Sequence, residues 1–260
     1  MAGKASEGLR SVTADLHVHT CLSPCATLDM TPRKIVQEAC KKGLAVVAVT
    51  DHNSAENAGA VMAAARETGL YIIPGMEVTT SEEVHIVGLF PETESALSMQ
   101  ELVYEKLQAG QNDEDIFGIQ VVANDSDEVV AINKRMLIGA TDLSVEEVVE
   151  AIHDRGGLAV AAHIDRESFS IIGQLGFIPV DLHLDAIEVS RGMTLKMARR
   201  QFKAYDCAPL ITASDAHSIE EIGASPLQLQ VTPPLGIDEL RLALKGRCGR
   251  KIIEDQTDLH

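Results

Sequence analysis

The stretch Leu44-Ala-Val-Val-Ala-Val-Thr-Asp-His-Asn53 carries the reading of the fold. An apolar run from Leu44 to Val49 continues without a polar interruption and then stops at Asp51, His52 and Asn53. An unbroken run of this length is what a strand covered on both faces requires, and such strands belong to parallel sheets. On its N-terminal side, Pro32–Lys42 reads as a helix, with Thr31 as N-cap and Gly43 as its stop. On its C-terminal side, Ser54–Thr68 reads as a second helix that ends at Gly69. The alternation continues outward. Val12–Val18, Leu70–Ile73, Val84–Phe90, Leu158–Ala162, Ala186–Val189, Leu210–Ala213 and Leu227–Val231 read as strands. Glu94–Gln108, Val145–Asp154 and Ile237–Lys245 read as helices. This βαβα rhythm predicts a parallel α/β fold. Seven or so strands over about 250 residues suit a closed (β/α) barrel better than a small open sheet. One barrel domain is expected over residues 1–260. A segment around 110–141 breaks the rhythm. It is acidic and weakly periodic, and reads as an insertion, helical at first and then a hairpin from Val121 to Ile132.

The 260 residues include 22 Lys plus Arg against 39 Asp plus Glu, a formal net charge of −17. A field of that sign repels polyanions, so long nucleic acids are not expected as partners, while one small phosphorylated molecule held by a local positive centre remains compatible. Hydrophobic residues make up 45%, enough for a sizeable core. Aromatics are only 3% with no Trp, so the core must be aliphatic and stacking platforms for nucleic acid are scarce. No apolar run approaches the roughly 18 residues of a membrane span. Met1–Arg10 lacks the apolar centre of a signal peptide, and a cytoplasmic location is expected. The five cysteines (Cys21, Cys25, Cys40, Cys207, Cys248) suit reduced thiols better than a disulfide framework. No glycine-rich phosphate loop follows the first strand.

The histidines are the informative residues. His17 and His19 (Asp15-Leu-His-Val-His-Thr), His52 (Thr50-Asp-His-Asn) and His163 (Ala161-Ala-His-Ile-Asp) each end an apolar strand, and His217 follows another in Ser214-Asp-Ala-His. In parallel α/β folds the carboxyl ends of the strands converge, so residues distant in sequence meet there. His17 and His19, two apart on a strand, share one face and can address one metal ion. Glu77, in Gly75-Met-Glu-Val-Thr after a strand, and Asp215 supply hard carboxylates, the combination a catalytic metal site uses.

These motifs together resemble the PHP (polymerase and histidinol phosphatase) superfamily. Asp15-Leu-His17-Val-His19-Thr is similar to its first motif and Thr50-Asp51-His52-Asn53 to its second. Gly75-Met76-Glu77, Ala162-His163 and Ser214-Asp215-Ala216-His217 follow in the family's order, covering about residues 12–220. The resemblance implies a distorted (β/α)7 barrel with two or three divalent ions at its C-terminal mouth, and hydrolysis of phosphate esters by a metal-activated water. It also implies that His17, His19, Glu77 and Asp215 hold one ion, that His52 and His217 hold a second, and that Glu77 and His163 share in a third. Where the family places a His or Asp to close the second site, this chain has Cys21-Leu-Ser-Pro-Cys-Ala-Thr-Leu-Asp29, so Cys25 or Asp29 is the substitute. A Cys25 thiolate would favour zinc or iron over manganese. The third site wants another histidine, and His85 is the available one. It starts its run rather than ending it, so it reaches the mouth only if that strand runs antiparallel or bends inward.

Arg166 and Arg191, in loops after strands, are candidates for binding a phosphate through a bidentate guanidinium. Lys134 and Arg135 in the insertion are more distant candidates for substrate selection. Asp215, His217 and Asp165 are the candidates for protonating the leaving oxygen. His153 on its helix and His183 in a loop read as surface residues, and His260 ends the chain. Two other readings compete with a phosphoesterase acting on a small substrate. One is an amidohydrolase acting on C–N bonds, and the other is a non-catalytic regulatory module stabilised by its metal.

Overall fold

The computed structural model describes residues 8–253, so His260 lies outside the described residues. In chain order the elements are β1 (Arg10–Val18), α1 (Pro32–Lys41), β2 (Val46–Val49), α2 (Ala58–Ala65), β3 (Tyr71–Thr79), β4 (His85–Leu89) and α3 (Thr93–Lys106). They continue with α4 (Glu114–Phe117), β5 (Val121–Ala123), β6 (Val129–Ile132), α5 (Val145–Asp154), β7 (Leu158–Ala161), α6 (Ile171–Leu175) and β8 (Ala186–Val189). The chain then forms α7 (Leu195–Gln201), β9 (Leu210–Thr212), β10 (Leu227–Val231), α8 (Ile237–Leu244) and β11 (Lys251–Ile252).

The main sheet has the order β11-β10-β1-β2-β3-β4-β7-β8-β9. Its two outer parts come together. Ala216, just past β9, bridges Val18 in parallel, donating its N–H to the His17 carbonyl at 3.2 Å and accepting from the His19 N–H at 3.0 Å. Seven strands, β1-β2-β3-β4-β7-β8-β9, thus form a nearly closed barrel, and β10 and β11 extend the sheet beside the N-terminal half of β1. The expectation of a wholly parallel barrel needs one correction. β4 runs antiparallel to both neighbours, with Thr79 opposite His85 and Ile86 opposite Ala161. The cause is local: the Thr80 N–H bonds the Val84 carbonyl at 2.9 Å, a turn too short for the crossover that a parallel return requires. A second correction concerns β3, which continues past Ile73 to Thr79 and so carries Glu77 within the strand. Gly75 permits this close passage, because a Cβ there would meet the Gly88 carbonyl oxygen at 2.8 Å.

Strand period sorts the core into two layers. Val46, Ala48, Ile73, Val87, Leu89, Leu158, Val160, Ala186 and Ile211 belong to one cluster with the β10 and α8 residues Leu229 and Leu240. Val47, Val49, Ile72, Ile86, Ala159, Ala161 and Ile187 belong to the other, beneath the helices. α1 lays Ile35, Val36 and Ala39 onto that outer layer. Pro32 stands in its first turn, while Thr31 occupies the N-cap position without capping through its side chain. α5 begins in a capping box formed by Ser144 and Glu147. The insertion is a short helix, α4, followed by the β5–β6 hairpin, as the sequence predicts. Its two basic residues each have a partner: Lys134 pairs with Glu114, and Arg135 lies over the Tyr104 ring at 4.1 Å. His153 is not simply solvated, since its Nε2 lies 2.9 Å from Asp185. Among the described residues, no helix is long and apolar enough to cross a membrane.

Candidate metal centre

At the C-terminal ends of the parallel strands, six histidines and two carboxylates meet. His17 and His19 leave β1, His52 follows β2, Glu77 sits on β3, His163 follows β7, and Asp215 and His217 follow β9. His85 begins β4, and the antiparallel course of that strand places its first residue at this same end. Glu77 lies in the middle. Its Oε1 is 2.8 Å from His85 Nδ1, 3.2 Å from His163 Nε2 and 3.4 Å from His17 Nε2, while its Oε2 is 3.1 Å from His52 Nδ1 and 3.4 Å from His19 Nε2. Asp215 Oδ1 is 3.1 Å from His19 Nε2 and 3.4 Å from His17 Nε2. All but His217 are buried.

Potential ligand atoms lie within 4.8 Å of one another in three groups: His17, His19, Glu77 and Asp215; His19, His52 and His217; and His52, Glu77 and His85. Two features test whether cations fit. First, His52 Nδ1 and His85 Nδ1 are buried against the Glu77 carboxylate without hydrogen-bond geometry, a costly condition that a cation held between them would relieve. Second, other ring nitrogens are fixed from behind. His17 Nδ1 faces Glu188 at 2.9 Å, His19 Nδ1 faces the Ser23 hydroxyl at 2.9 Å, and His217 Nδ1 faces the Asp215 carbonyl at 2.8 Å. The Ser23 hydroxyl donates to Asp51 at 2.6 Å, so it accepts from His19 Nδ1–H and leaves the Nε2 lone pair directed inward. Such outer partners orient metal-binding imidazoles. The donor set of imidazoles and carboxylates suits zinc, manganese or iron.

Electrostatics point the same way. Burial disfavours charge on His17, yet Glu188, Glu77 and Asp215 together hold its pKa well above the ordinary value, so this spot favours a cation. Burial and the neighbouring His217 push His19 down to about 4, keeping it neutral and able to ligate. Burial opposes ionisation of Glu77, but His85, His17 and His52 hold it well below the usual carboxylate range. Asp215 is likewise lowered against its burial by His17 and His19.

The remaining candidates divide. Arg166 reaches the centre, its Nη2 lying 2.6 Å from Asp215 Oδ2. Arg191 stands one step back: it pairs with Glu221, whose other oxygen accepts from the His217 N–H at 3.0 Å. Asp165 is turned to Ser190, accepting from its N–H at 2.7 Å and its hydroxyl at 2.5 Å, so both oxygens are occupied. Cys25 is exposed and joins none of the three groups. Burial of its sulfur and then Glu77 and Asp215 push its thiol up, which disfavours the thiolate. Asp29 is exposed and accepts from Thr27 at 2.6 Å. Three buried carboxylates lay outside the sequence-based site. Glu188 backs His17. Asp51 accepts from the Thr20 N–H and hydroxyl, each at 2.7 Å, and from Ser23. Asp15 accepts from the Ser214 N–H at 3.0 Å and its hydroxyl at 2.6 Å, and so fastens the loop bearing Asp215 and His217 to β1. The available signal was a charged residue inside an otherwise apolar strand, as in Ala186-Ile-Glu-Val.

Comparison with known proteins adds four findings. The PHP domain model matches residues 15–178. An uncharacterized protein of Methanocaldococcus jannaschii is 30% identical over 184 residues, covering 68% of this chain and 80% of that protein. A 3',5'-nucleoside bisphosphate phosphatase of Chromobacterium violaceum is 36% identical over 78 residues, covering 29% of this chain and 26% of that protein. Among solved structures, a lesion-specific endonuclease from Pyrococcus furiosus superposes with a TM-score of 0.71 at 22% identity. That likeness covers 94% of this chain and 58% of the endonuclease, so this chain spans little more than half of it and the two share a fold.

Proposed function

The chain belongs to the PHP domain family of metal-dependent phosphoesterases, and on that premise we propose that it hydrolyses a small phosphorylated substrate at a di- or trinuclear metal centre. The observation that carries this reading is the arrangement around Glu77, where three overlapping ligand groups share one buried carboxylate. His17, His19, Glu77 and Asp215 would hold one divalent ion, His52 and His217 a second, and Glu77, His85 and His163 a third. Bound there, such ions supply an activated water nucleophile and neutralise charge on the phosphoryl oxygens. The chain's own groups account for the rest. The Arg166 guanidinium, half exposed beside Asp215, is placed to grip a phosphoryl oxygen and orient the ester. Arg191 and Glu221 brace the His217 backbone. Asp215 stays ionised near neutral pH and offers no proton, while Asp165 is turned to Ser190. Solvent at the open rim then protonates the leaving oxygen. A small substrate is favoured over a long polyanion because the net charge of −17 surrounds a locally cationic mouth. The sequence likeness to the nucleoside bisphosphate phosphatase supports the same size class.

A substrate panel tests this. Nucleoside and sugar phosphates, an aryl phosphate, single-stranded oligonucleotides and simple amides are offered to the purified protein with zinc, manganese or iron(II). The expected result is turnover of small phosphate esters that is abolished by a chelator. Turnover confined to amides, or to oligonucleotides, would overturn it.

A further inference from the structure

Resting on the phosphoesterase reading of this mouth, we propose that Phe169 selects the substrate by stacking on a flat aromatic or heterocyclic ring carried by the ester, so that the preferred class is a nucleoside-type phosphate. Aromatic residues are scarce in this chain, 3% with no Trp, yet one stands at the rim. The Phe169 ring lies on the His85 ring with centroids 4.7 Å apart and planes inclined by 24°. It remains 41% exposed, so the ring is covered on the His85 side and open on another.

The backbone holds it there against its own preference. Phe169 adopts φ +58°, a left-handed conformation that is a genuine outlier for a bulky side chain. Such strain persists only where the surroundings over-determine it, and it gathers at ligand-binding positions. Here the constraints are visible. The Phe169 carbonyl accepts from the His85 N–H at 2.9 Å. The Ser170 hydroxyl donates to the Arg166 carbonyl at 2.6 Å and accepts from the Gly173 N–H at 2.9 Å. Gly173 lets the loop lie against α6, since a Cβ there would overlap the Glu167 carbonyl oxygen. A ring needed only to cover His85 requires neither this strain nor this exposure.

The same loop carries Arg166, whose guanidinium lies on Asp215. Two recognition elements therefore stand three residues apart on one rigid loop: a cation for the phosphoryl group and an aromatic face for the ring attached to it. Stacking of this kind tolerates any heterocycle, because each presents a π-face. The resulting selectivity is for flat over aliphatic alcohols, without discrimination among bases.

The test measures binding, which is independent of turnover. Dissociation constants of the metal-loaded full chain for the non-hydrolysable phosphonate analogues of adenosine 5'-monophosphate and glycerol 3-phosphate are obtained by calorimetry, for the wild type, Phe169→Asn and Phe169→Tyr. Asn tolerates the left-handed backbone and removes the ring, and Tyr restores it. The wild type is expected to favour the nucleotide, Phe169→Asn to reduce that preference about tenfold, and Phe169→Tyr to recover it. An unchanged preference in Phe169→Asn, or an absence of preference in the wild type, overturns the proposal. Ring-dependent binding without turnover would instead refute the phosphoesterase reading and leave the stacking role standing.

Discussion

The two ends of the barrel are made by the same strands and have opposite characters. At the C-terminal end, buried His17, His19, His52, His85, His163, Glu77 and Asp215 crowd together, and three buried imidazole nitrogens lack hydrogen-bond partners. Among the described residues, seven non-glycine residues have positive φ, and five of them, Asn53, Glu83, His163, Phe169 and Asp215, stand at this end. Toward the other end, Leu227, Leu229, Val231, Leu240 and Leu244 pack with the barrel interior in a purely apolar layer. One end concentrates strain and uncompensated polar groups, while the other supplies burial that offsets them. The difference teaches that stability and chemistry are assigned to separate ends of one sheet, as barrel enzymes require.

The sharpest way to break this comparison is at the first motif. Replacing His17 and His19 together by alanine should abolish phosphoester hydrolysis while the circular dichroism spectrum is retained, because the lower layer is untouched. Next comes the apolar end. Leu240→Ala should lower unfolding free energy by about 2–5 kcal/mol in a urea titration. In the remaining folded protein kcat/KM should be unchanged, and a rate loss there would show that the ends are not separable. A smaller effect is expected at the support behind the metal ligands. Glu188→Gln keeps the shape and removes the charge beside His17, and should weaken metal affinity about 10–100-fold in a competition titration.

The smallest effect is expected at Asp185, toward the lower end. Burial opposes its ionisation, but the His153 ring and the Ala159 N–H lower its pKa below the ordinary value. A depressed carboxyl contributes stability above its unfolded value of about 3.9, and that contribution fades as pH falls through the folded value. Asp185→Asn should therefore cost about 1 kcal/mol at pH 7. The gap between variant and wild type should narrow in urea titrations as pH falls below about 4.

Much of this is legible in the sequence. Ala186–Val189 and Leu227–Val231 are strands in the structure with the bounds the sequence predicts. The barrel was legible because continuous apolar runs alternate with helical periods. The direction of β4 was not, because direction is decided by a short turn at Thr80–Val84 rather than by the hydrophobicity of the strand. That single reversal decides where His85 goes. The extent of β3 was hidden by Pro74 and Gly75, which read as a break but lie inside the strand. Asp165 looked suitable by position and is turned to Ser190, while Cys25 stands within electrostatic reach of Glu77 and Asp215 without joining a ligand group. Glu188 carried a signal, a lone acid in an apolar strand, but that signal does not say which imidazole it will meet.

The central claim is that the polar end holds divalent ions and that these ions are needed for hydrolysis. It is tested most directly by metal analysis of the purified protein, coupled to turnover of a small phosphate ester, for the wild type and for the His17→Ala, His19→Ala double variant. The account predicts at least two equivalents of zinc, manganese or iron in the wild type, with activity lost on chelation and restored by metal, and both metal content and activity reduced in the variant. Full activity in a thoroughly chelated wild type, or undiminished activity in the variant, would contradict it.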